Sequence, residues 1–266
     1  MNPSSFFHRL THSLLQSLLP EVIVPLPLLG GPLGGMLMKI NLKWEREFVY
    51  GKFEFEVGKA IQDYVKRGDI VYDVGAHVGY FTLLFARLVG PKGQCLGFEP
   101  NPEVFRRLQS NIRMNKWRLP AEVQTMKIGL YDEVGEKRFF LGGSTTTGRL
   151  TRFPEDISQS KIIIVPLSTI DALIQEGLPV PSFMKIDVEY AEDHVLRGAI
   201  NTLKKHGAVV LCEIHSMETG KNCFEILKGI GYSIIELKTG QTWDMSDKVS
   251  KGHILATPVK CFLKRQ

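Results

Sequence analysis

Residues 73–81 read Asp73-Val74-Gly75-Ala76-His77-Val78-Gly79-Tyr80-Phe81, directly after the apolar, β-branched run Asp69-Ile70-Val71-Tyr72. That run suits a buried strand. A strand that passes through a glycine-rich turn into a helix is the geometry of a nucleotide-type cofactor site. Gly75 and Gly79 let the backbone approach a ligand where a Cβ would collide, and the following helix offers free N–H groups. Asp73 falls at the carboxyl end of the strand, where ligands bind in open α/β sheets. A second strand, Gln94–Phe98, ends in Glu99-Pro100-Asn101. A carboxylate at that tip can accept from both hydroxyls of a ribose. The two tips imply an adenosine-containing cofactor, with Asp73, Gly75, Ala76, His77, Gly79, Tyr80, Glu99, Pro100 and Asn101 as its candidate contacts.

The turn distinguishes between cofactors. A dinucleotide site wants Gly-x-Gly-x-x-Gly, in which the middle glycine makes room for the pyrophosphate. Here the spacing is Gly75-x-x-x-Gly79, without a central glycine. Asp73 repels a pyrophosphate but favours a cation, directly or through water. S-adenosylmethionine carries a sulfonium and an amino group, so the electrostatics favour it.

Composition sets outer bounds. The chain has 266 residues, 44% hydrophobic and 23% charged, as expected of a globular protein with one α/β domain and an extension or small accessory piece. A net charge of +5 tolerates an anionic substrate, yet it is not the dense basic stripe of a dedicated nucleic-acid binder. Cys95, Cys212, Cys223 and Cys261 lack close-pair spacing and read as small core residues of a reducing, cytoplasmic protein. Residues 22–38 are uncharged, but Pro25, Pro27 and Pro32 with four glycines interrupt any spanning helix. Upstream, leucines at 10, 14, 15, 18 and 19 give Phe6–Leu19 one apolar helical face. That face is expected to dock on its own domain or on a second subunit, with membrane-surface attachment as the alternative. A cleaved signal peptide is not expected, because no small-x-small site follows an uninterrupted apolar core.

From there strands and helices alternate in the manner of a βαβ fold. Helices are expected over 54–66, 80–89, 101–115, 167–176 with Ser168 as cap, 191–205 and 219–229. Strands are expected over 94–98, 123–130, 137–141, 161–165, 183–188, 208–214, 232–237 and 253–257. Between two of them lies Gly142 to Gly148, a small, polar stretch expected to form a mobile substrate-side lid. Arg106, Arg107, Arg113 and Arg118 read as a solvated face. His77 is expected to meet the cofactor through its backbone, and His194 to approach the pocket or face solvent.

Several of these pieces together resemble the FkbM family of S-adenosylmethionine-dependent methyltransferases, from about Gly51 to Tyr232. They are Gly51-Lys52-Phe53-Glu54, Asp73 to Gly79, and Phe98-Glu99-Pro100-Asn101-Pro102, then Asn111 and Asn115. Lys185-Ile186-Asp187-Val188-Glu189, Glu192, Val195 to Ala199, Glu213-Ile214-His215 and Gly231-Tyr232 complete the set. The resemblance implies a class I methyltransferase, a Rossmann-like α/β fold. Its seven-stranded, mostly parallel sheet would have an antiparallel edge pair and helices on both faces. Residues 51–266 would form that domain. Residues 1–50 would form an N-terminal extension of amphipathic helix, Pro/Gly-rich segment and short strand. It also implies methylation of an oxygen on a sugar, glycolipid or natural-product scaffold. The family pattern is Asp-x-Glu-Gly, and Tyr190 stands at the glycine here.

The carboxylates of Asp187-Val188-Glu189-Tyr190 suit a hydroxyl proton, where amine methyltransferases often carry Asn-Pro-Pro-Tyr. Because the donor is already activated, alignment supplies most of the rate, and a base adds roughly 100- to 10,000-fold for a sugar hydroxyl. Asp187, Glu189 and His215 are the catalytic candidates, with His215 as base. Asp187 is an alternative holder of the cofactor's amino group, and Glu189 a helix cap. With Glu213, the same residues could instead hold a divalent metal, which is not the favoured reading. The other readings are an RNA methyltransferase of the same fold and a cofactor-binding module that has lost catalysis through Tyr190.

Overall fold

The computed structural model describes residues 20–141, 148–150, 161–243 and 252–259. The expected Phe6–Leu19 helix and nearly all of the Gly142 to Gly148 lid lie outside these residues. Strands β1 (Ile23–Pro27) and β2 (Leu37–Asn41) form an antiparallel pair. Pro25 and Pro27 suit β1 because a two-stranded ribbon leaves one side of each strand unpaired. Two helices follow, α1 (Arg46–Tyr50) and α2 (Phe55–Tyr64). The alternating core then runs β3 (Ile70–Val74), α3 (Tyr80–Val89), β4 (Gln94–Phe98), α4 (Pro102–Asn115) and β5 (Glu122–Met126).

Four short strands come next: β6 (Gly129–Leu130), β7 (Gly135–Leu141), β8 (Gly148–Arg149) and β9 (Lys161–Ser168). The chain closes with α5 (Ile170–Gln175), β10 (Phe183–Ile186), α6 (Glu192–Arg197), α7 (Ile200–His206), β11 (Val209–Ile214), α8 (Met217–Gly229), β12 (Tyr232–Glu236) and β13 (Gly252–Pro258). The main sheet has seven strands in the order β12-β13-β11-β10-β3-β4-β5. Only β13 runs against its neighbours. This is the class I methyltransferase arrangement expected from the sequence. The order reverses between β3 and β10, so the crevice at their carboxyl ends is the topological switch point. Register there sets Asp73 beside Lys185 and Gly97.

Both faces of the sheet are buried, which is why its central strands are continuous apolar runs. Val71, Cys95, Phe183 and Leu211 point to the face covered by β1, β2, α2 and α3. Tyr72, Val74, Leu96 and Met184 point to the opposite core, with residues of α5, α6, α7 and α8. Cys95, Cys212 and Cys223 are buried free thiols.

Three boundaries differ from expectation. Residues 123–130 are not one strand: β5 ends at Met126, and Gly129–Leu130 pairs with β9 in a second sheet of order β6-β9-β7-β8. Ser168 belongs to β9, and the cap of α5 is Thr169, whose Oγ1 accepts from the Ala172 N–H at 2.9 Å. The expected 191–205 helix breaks at Gly198, where a Cβ would stand 2.0 Å from the Tyr131 carbonyl oxygen. The second half is capped from another helix: Asp171 accepts from the N–H groups of Asn201 and Thr202 at 3.0 and 2.8 Å. No helix among the described residues is long and apolar enough to cross a membrane.

Candidate active site

A cavity of about 340 Å³ opens at the switch point, lined by both expected strand tips. Its size is that of a small-molecule site. Gly75 has φ +81, and a Cβ there would stand 1.8 Å from the Asp187 carbonyl oxygen, so only glycine fits between β3 and β10. The Gly75 and Ala76 N–H groups both donate to the Phe98 carbonyl, at 3.0 and 2.9 Å. Asn111 donates to the Val78 carbonyl at 2.8 Å. The turn is thus clamped from β4, β10 and α4 together.

Two of the expected cofactor contacts, His77 and Asn101, line the cavity and also hold Glu99. The His77 backbone N–H donates to Glu99 Oε2 at 3.0 Å, and that of Asn101 to Oε1 at 2.8 Å. His77 thus uses its backbone N–H to orient Glu99 while lining the cavity; its ring is buried, and burial lowers its pKa. The Asn101 side chain caps α4 by accepting from the Glu103 N–H at 3.0 Å. Burial pushes Glu99 up to about 7, against those two donors. Asp73 is buried too, and burial raises its pKa. Its Oδ2 accepts from the Thr82 hydroxyl at 2.5 Å, while Oδ1 has no hydrogen-bond partner among the described residues. Thr82 was not legible as a site residue, since it reads as one more position of an apolar helix. Tyr80 stacks on Phe48 with ring centroids 5.0 Å apart, and both line the cavity. An orphaned carboxylate oxygen, a fixed acid with spare acceptor capacity and the start of α3 fit a cationic adenosine cofactor.

On the other side stands a cluster of ionisable groups at the tips of β10, β11 and β13. The catalytic candidates His215, Glu189 and Asp187 come together here. His215 Nδ1 lies 2.5 Å from Glu192 Oε1, and Glu192 is wholly buried. Its Nε2 lies 3.5 Å from Glu189, 3.7 Å from Glu213 and 3.8 Å from Asp187. Burial works against the imidazolium, but Glu192, Glu189 and Glu213 overcome it and push His215 up to about 9. At neutral pH these carboxylates favour the protonated ring.

Asp187 is half-buried, which favours the acid form, but Lys185 at 2.8 Å and the nearby histidines hold its pKa below the usual range. Burial of Lys185 is likewise outweighed by Asp187, Asp73 and Glu54, which keep its ammonium charged. Glu189 retains 37% of its side-chain exposure, and burial raises its pKa.

The helix approach after β10 explains the family glycine. Glu189 and Tyr190 have φ of +53 and +71, left-handed values that glycine adopts without a Cβ penalty. Tyr190 accepts that backbone here. Its N–H donates to Glu192 Oε1 at 3.0 Å, and its ring centroid lies 5.6 Å from that of His215.

Two further ionisable residues belong to the cluster without having been expected there. His253 lies across from Glu213 in the β11–β13 register, and Glu54 precedes α2. The only sequence signal for Glu54 is its place in Gly51-Lys52-Phe53-Glu54. His194 turns elsewhere: it stacks on Tyr131 at 4.1 Å and meets Asp132 at 2.7 Å. Arg107 is not solvated either, since Nη1 donates to Glu45 at 3.1 Å and Nη2 to the Lys39 carbonyl at 2.7 Å.

Residues 73–234 match the family described as the methyltransferase FkbM domain. Hexuronic acid methyltransferase AglP of Haloferax volcanii is 27% identical over 175 residues, covering 65% of this chain and 67% of that protein. The 31-O-demethyl-FK506 methyltransferase FkbM of Streptomyces tacrolimicus is 26% identical over 198 residues, or 64% of this chain and 75% of that one. Among solved structures, a methyltransferase FkbM from Methylobacillus flagellatus KT aligns at 16% identity with a TM-score of 0.47, over 71% of this chain and 43% of that one. The match spans more than half of the chain and takes in both strand tips with Asp187, Glu189, Glu213 and His215, so this protein belongs to the FkbM family of methyltransferases.

Proposed function

We propose that the protein transfers the methyl group of S-adenosylmethionine to a hydroxyl oxygen of a sugar-type acceptor. The observation that carries this reading is the carboxylate and imidazole cluster bordering the cofactor cavity. It offers acceptors for a hydroxyl proton, and the described residues there include no amide pair that would receive an amino group. The names of the two curated relatives, one acting on a hexuronic acid and one on an FK506 precursor, are consistent with it.

Asp73 and Glu99 would hold the cofactor's cationic and ribose ends, and the Gly75–Gly79 turn would seat it. The cofactor supplies a methyl group already made electrophilic by its sulfonium, so the chain's main task is alignment of the hydroxyl oxygen in a shielded crevice. Glu189 takes the hydroxyl proton in this reading: it faces the cavity, and burial makes it more basic than an ordinary carboxylate. His215, anchored by Glu192, orients Glu189 and stabilises its charge. Asp187, tied to Lys185, is the weaker base.

The test is incubation with methyl-labelled S-adenosylmethionine and a panel of hexosides, uronosides and their amino-sugar counterparts. Label is expected on oxygen. Glu189→Gln and His215→Ala are each expected to lower turnover by about 100-fold or more, with S-adenosylhomocysteine affinity nearly unchanged. Label on nitrogen, or full turnover in both variants, would refute the assignment.

A further inference from the structure

We propose that Glu54, Glu213 and His253 form a divalent-cation site of the Mg²⁺ or Mn²⁺ class on the acceptor side of the cavity. The three residues come from distant parts of the chain and converge on one point, with candidate ligand atoms within 4.8 Å of one another. His253 Nε2 lies 3.4 Å from Glu213 Oε2 and 3.6 Å from Glu54 Oε2. These separations are long for hydrogen bonds. They suit two ligands that each stand about 2.1 Å from a shared ion, which lie roughly 3 to 3.5 Å apart.

A second observation is the burial of the facing atoms. Glu54 Oε2 and His253 Nε2 are both buried atoms without a hydrogen-bond partner among the described residues. Their ion pair at 3.6 Å offsets that desolvation less well than a hydrogen bond or a bound ion would. Here both orphaned atoms face the same gap, and an ion there would satisfy both at once. The surrounding charge points the same way. Glu54, Asp187, Glu189 and Glu213 crowd around the histidines, with Lys185 alone among the lysines lining this cavity.

The donor set favours the class of ion. Two carboxylates and one imidazole suit Mn²⁺ and tolerate Mg²⁺, whereas thiolate-seeking ions find no sulfur here. Glu213 serves two neighbours: Oε2 faces His253 and Oε1 faces His215, so the cation would stand beside the proton-accepting side of the cavity. Three protein ligands leave positions for two acceptor oxygens, such as a vicinal diol or the hydroxyl and carboxylate of a uronic acid. A hydroxyl bound there would lose its proton more readily. That last role rests on the O-methyltransferase reading, but cation binding does not.

The experiment therefore uses neither acceptor nor turnover. The full-length protein, stripped with EDTA and dialysed, is titrated with Mn²⁺ while the free-ion electron paramagnetic resonance signal is followed. One equivalent is expected to bind in the micromolar range. Glu54→Gln and His253→Gln are each expected to weaken binding by about tenfold or more, with S-adenosylhomocysteine affinity within twofold of the parent. Pulsed measurements on the parent protein should show imidazole nitrogen coupling to the bound Mn²⁺, which needs no variant to fold. Binding no tighter than millimolar, absence of nitrogen coupling, or equal affinity in both variants would overturn the site. If Mn²⁺ binds as expected and no hydroxyl is methylated, the cation site stands and the O-methyltransferase reading falls.

Discussion

Both oxygens of Glu99 already accept a backbone N–H, and the group still titrates at about 7 because burial outweighs those bonds. Its folded pKa is raised above the ordinary 4.5, so between those values the cofactor-free protein holds a proton that the unfolded chain has released. The stability this confers is full below about 4.5 and is lost as pH rises through about 7. Ribose hydroxyls reverse the preference, since they donate to the ionised carboxylate. Affinity for S-adenosylhomocysteine should accordingly rise about tenfold between roughly pH 6 and 8. Glu99→Gln should flatten that profile and weaken binding at the upper end by about 1 to 3 kcal/mol. Calorimetry across the range decides it, and a flat profile for the parent protein would contradict the assignment. Glu99 and Asp73 are legible in sequence because each lies at the carboxyl end of an apolar strand, Asp73 just inside β3 and Glu99 just after β4. Glu54 and His253 are not, because only the β11–β13 register and the start of α2 bring them together.

Helix α4 ties the N-terminal ribbon to the cofactor turn through two buried asparagines. Asn111 Oδ1 accepts from the Lys39 N–H at 2.8 Å, and its amide donates to Val78 at 2.8 Å. Asn115 likewise accepts from the Leu37 N–H at 2.9 Å and donates back to the Leu37 carbonyl at 2.7 Å. Asn111→Ala would leave a strand N–H and a turn carbonyl without partners. The expected destabilisation is about 2 to 4 kcal/mol, read from denaturant unfolding. Cofactor affinity should fall too, because the same amide holds the turn that seats it; a variant with parent-like stability and affinity would show that water replaces both bonds. The elements themselves were uneven in legibility. The central strands announce themselves as apolar runs, and α4 by its cap and period. The small sheet does not, because β6 is two residues long and looks like the end of β5. The break between α6 and α7 is equally silent: the apolar period of 195–203 continues through Gly198, and the cap arrives from Asp171 on another helix.

At the scale of the whole molecule, residues 20–50 are part of the core. Leu28, Leu33, Met36, Met38, Ile40 and Phe48 are buried against α2, α3 and the main sheet. Phe48 also forms the aromatic wall of the cavity with Phe53 and Tyr80. On the far side, Glu45 is the partner of Arg107, which is itself mostly buried. A chain beginning at Gly51 would lack those apolar side chains, bare the faces of α2, α3 and the sheet that they cover, strip Asn111 and Asn115 of their strand partners and leave the Arg107 charge uncompensated. Each buried Leu, Met or Phe side chain contributes about 1.5 to 3 kcal/mol, and domains of this kind have only about 5 to 15 kcal/mol in total. Loss of the six side chains alone, about 9 to 18 kcal/mol, is therefore comparable with the whole margin. The shortened chain is expected to lack a cooperative thermal transition and S-adenosylhomocysteine binding, by circular dichroism and calorimetry. A chain starting at Pro20 should keep both, since every contact described above lies within it. If the chain from Gly51 melts cooperatively near the parent temperature, residues 51–266 carry their own core and the ribbon only covers it. If it melts cooperatively but no longer binds, the ribbon shapes the cavity through Phe48 without supporting the fold.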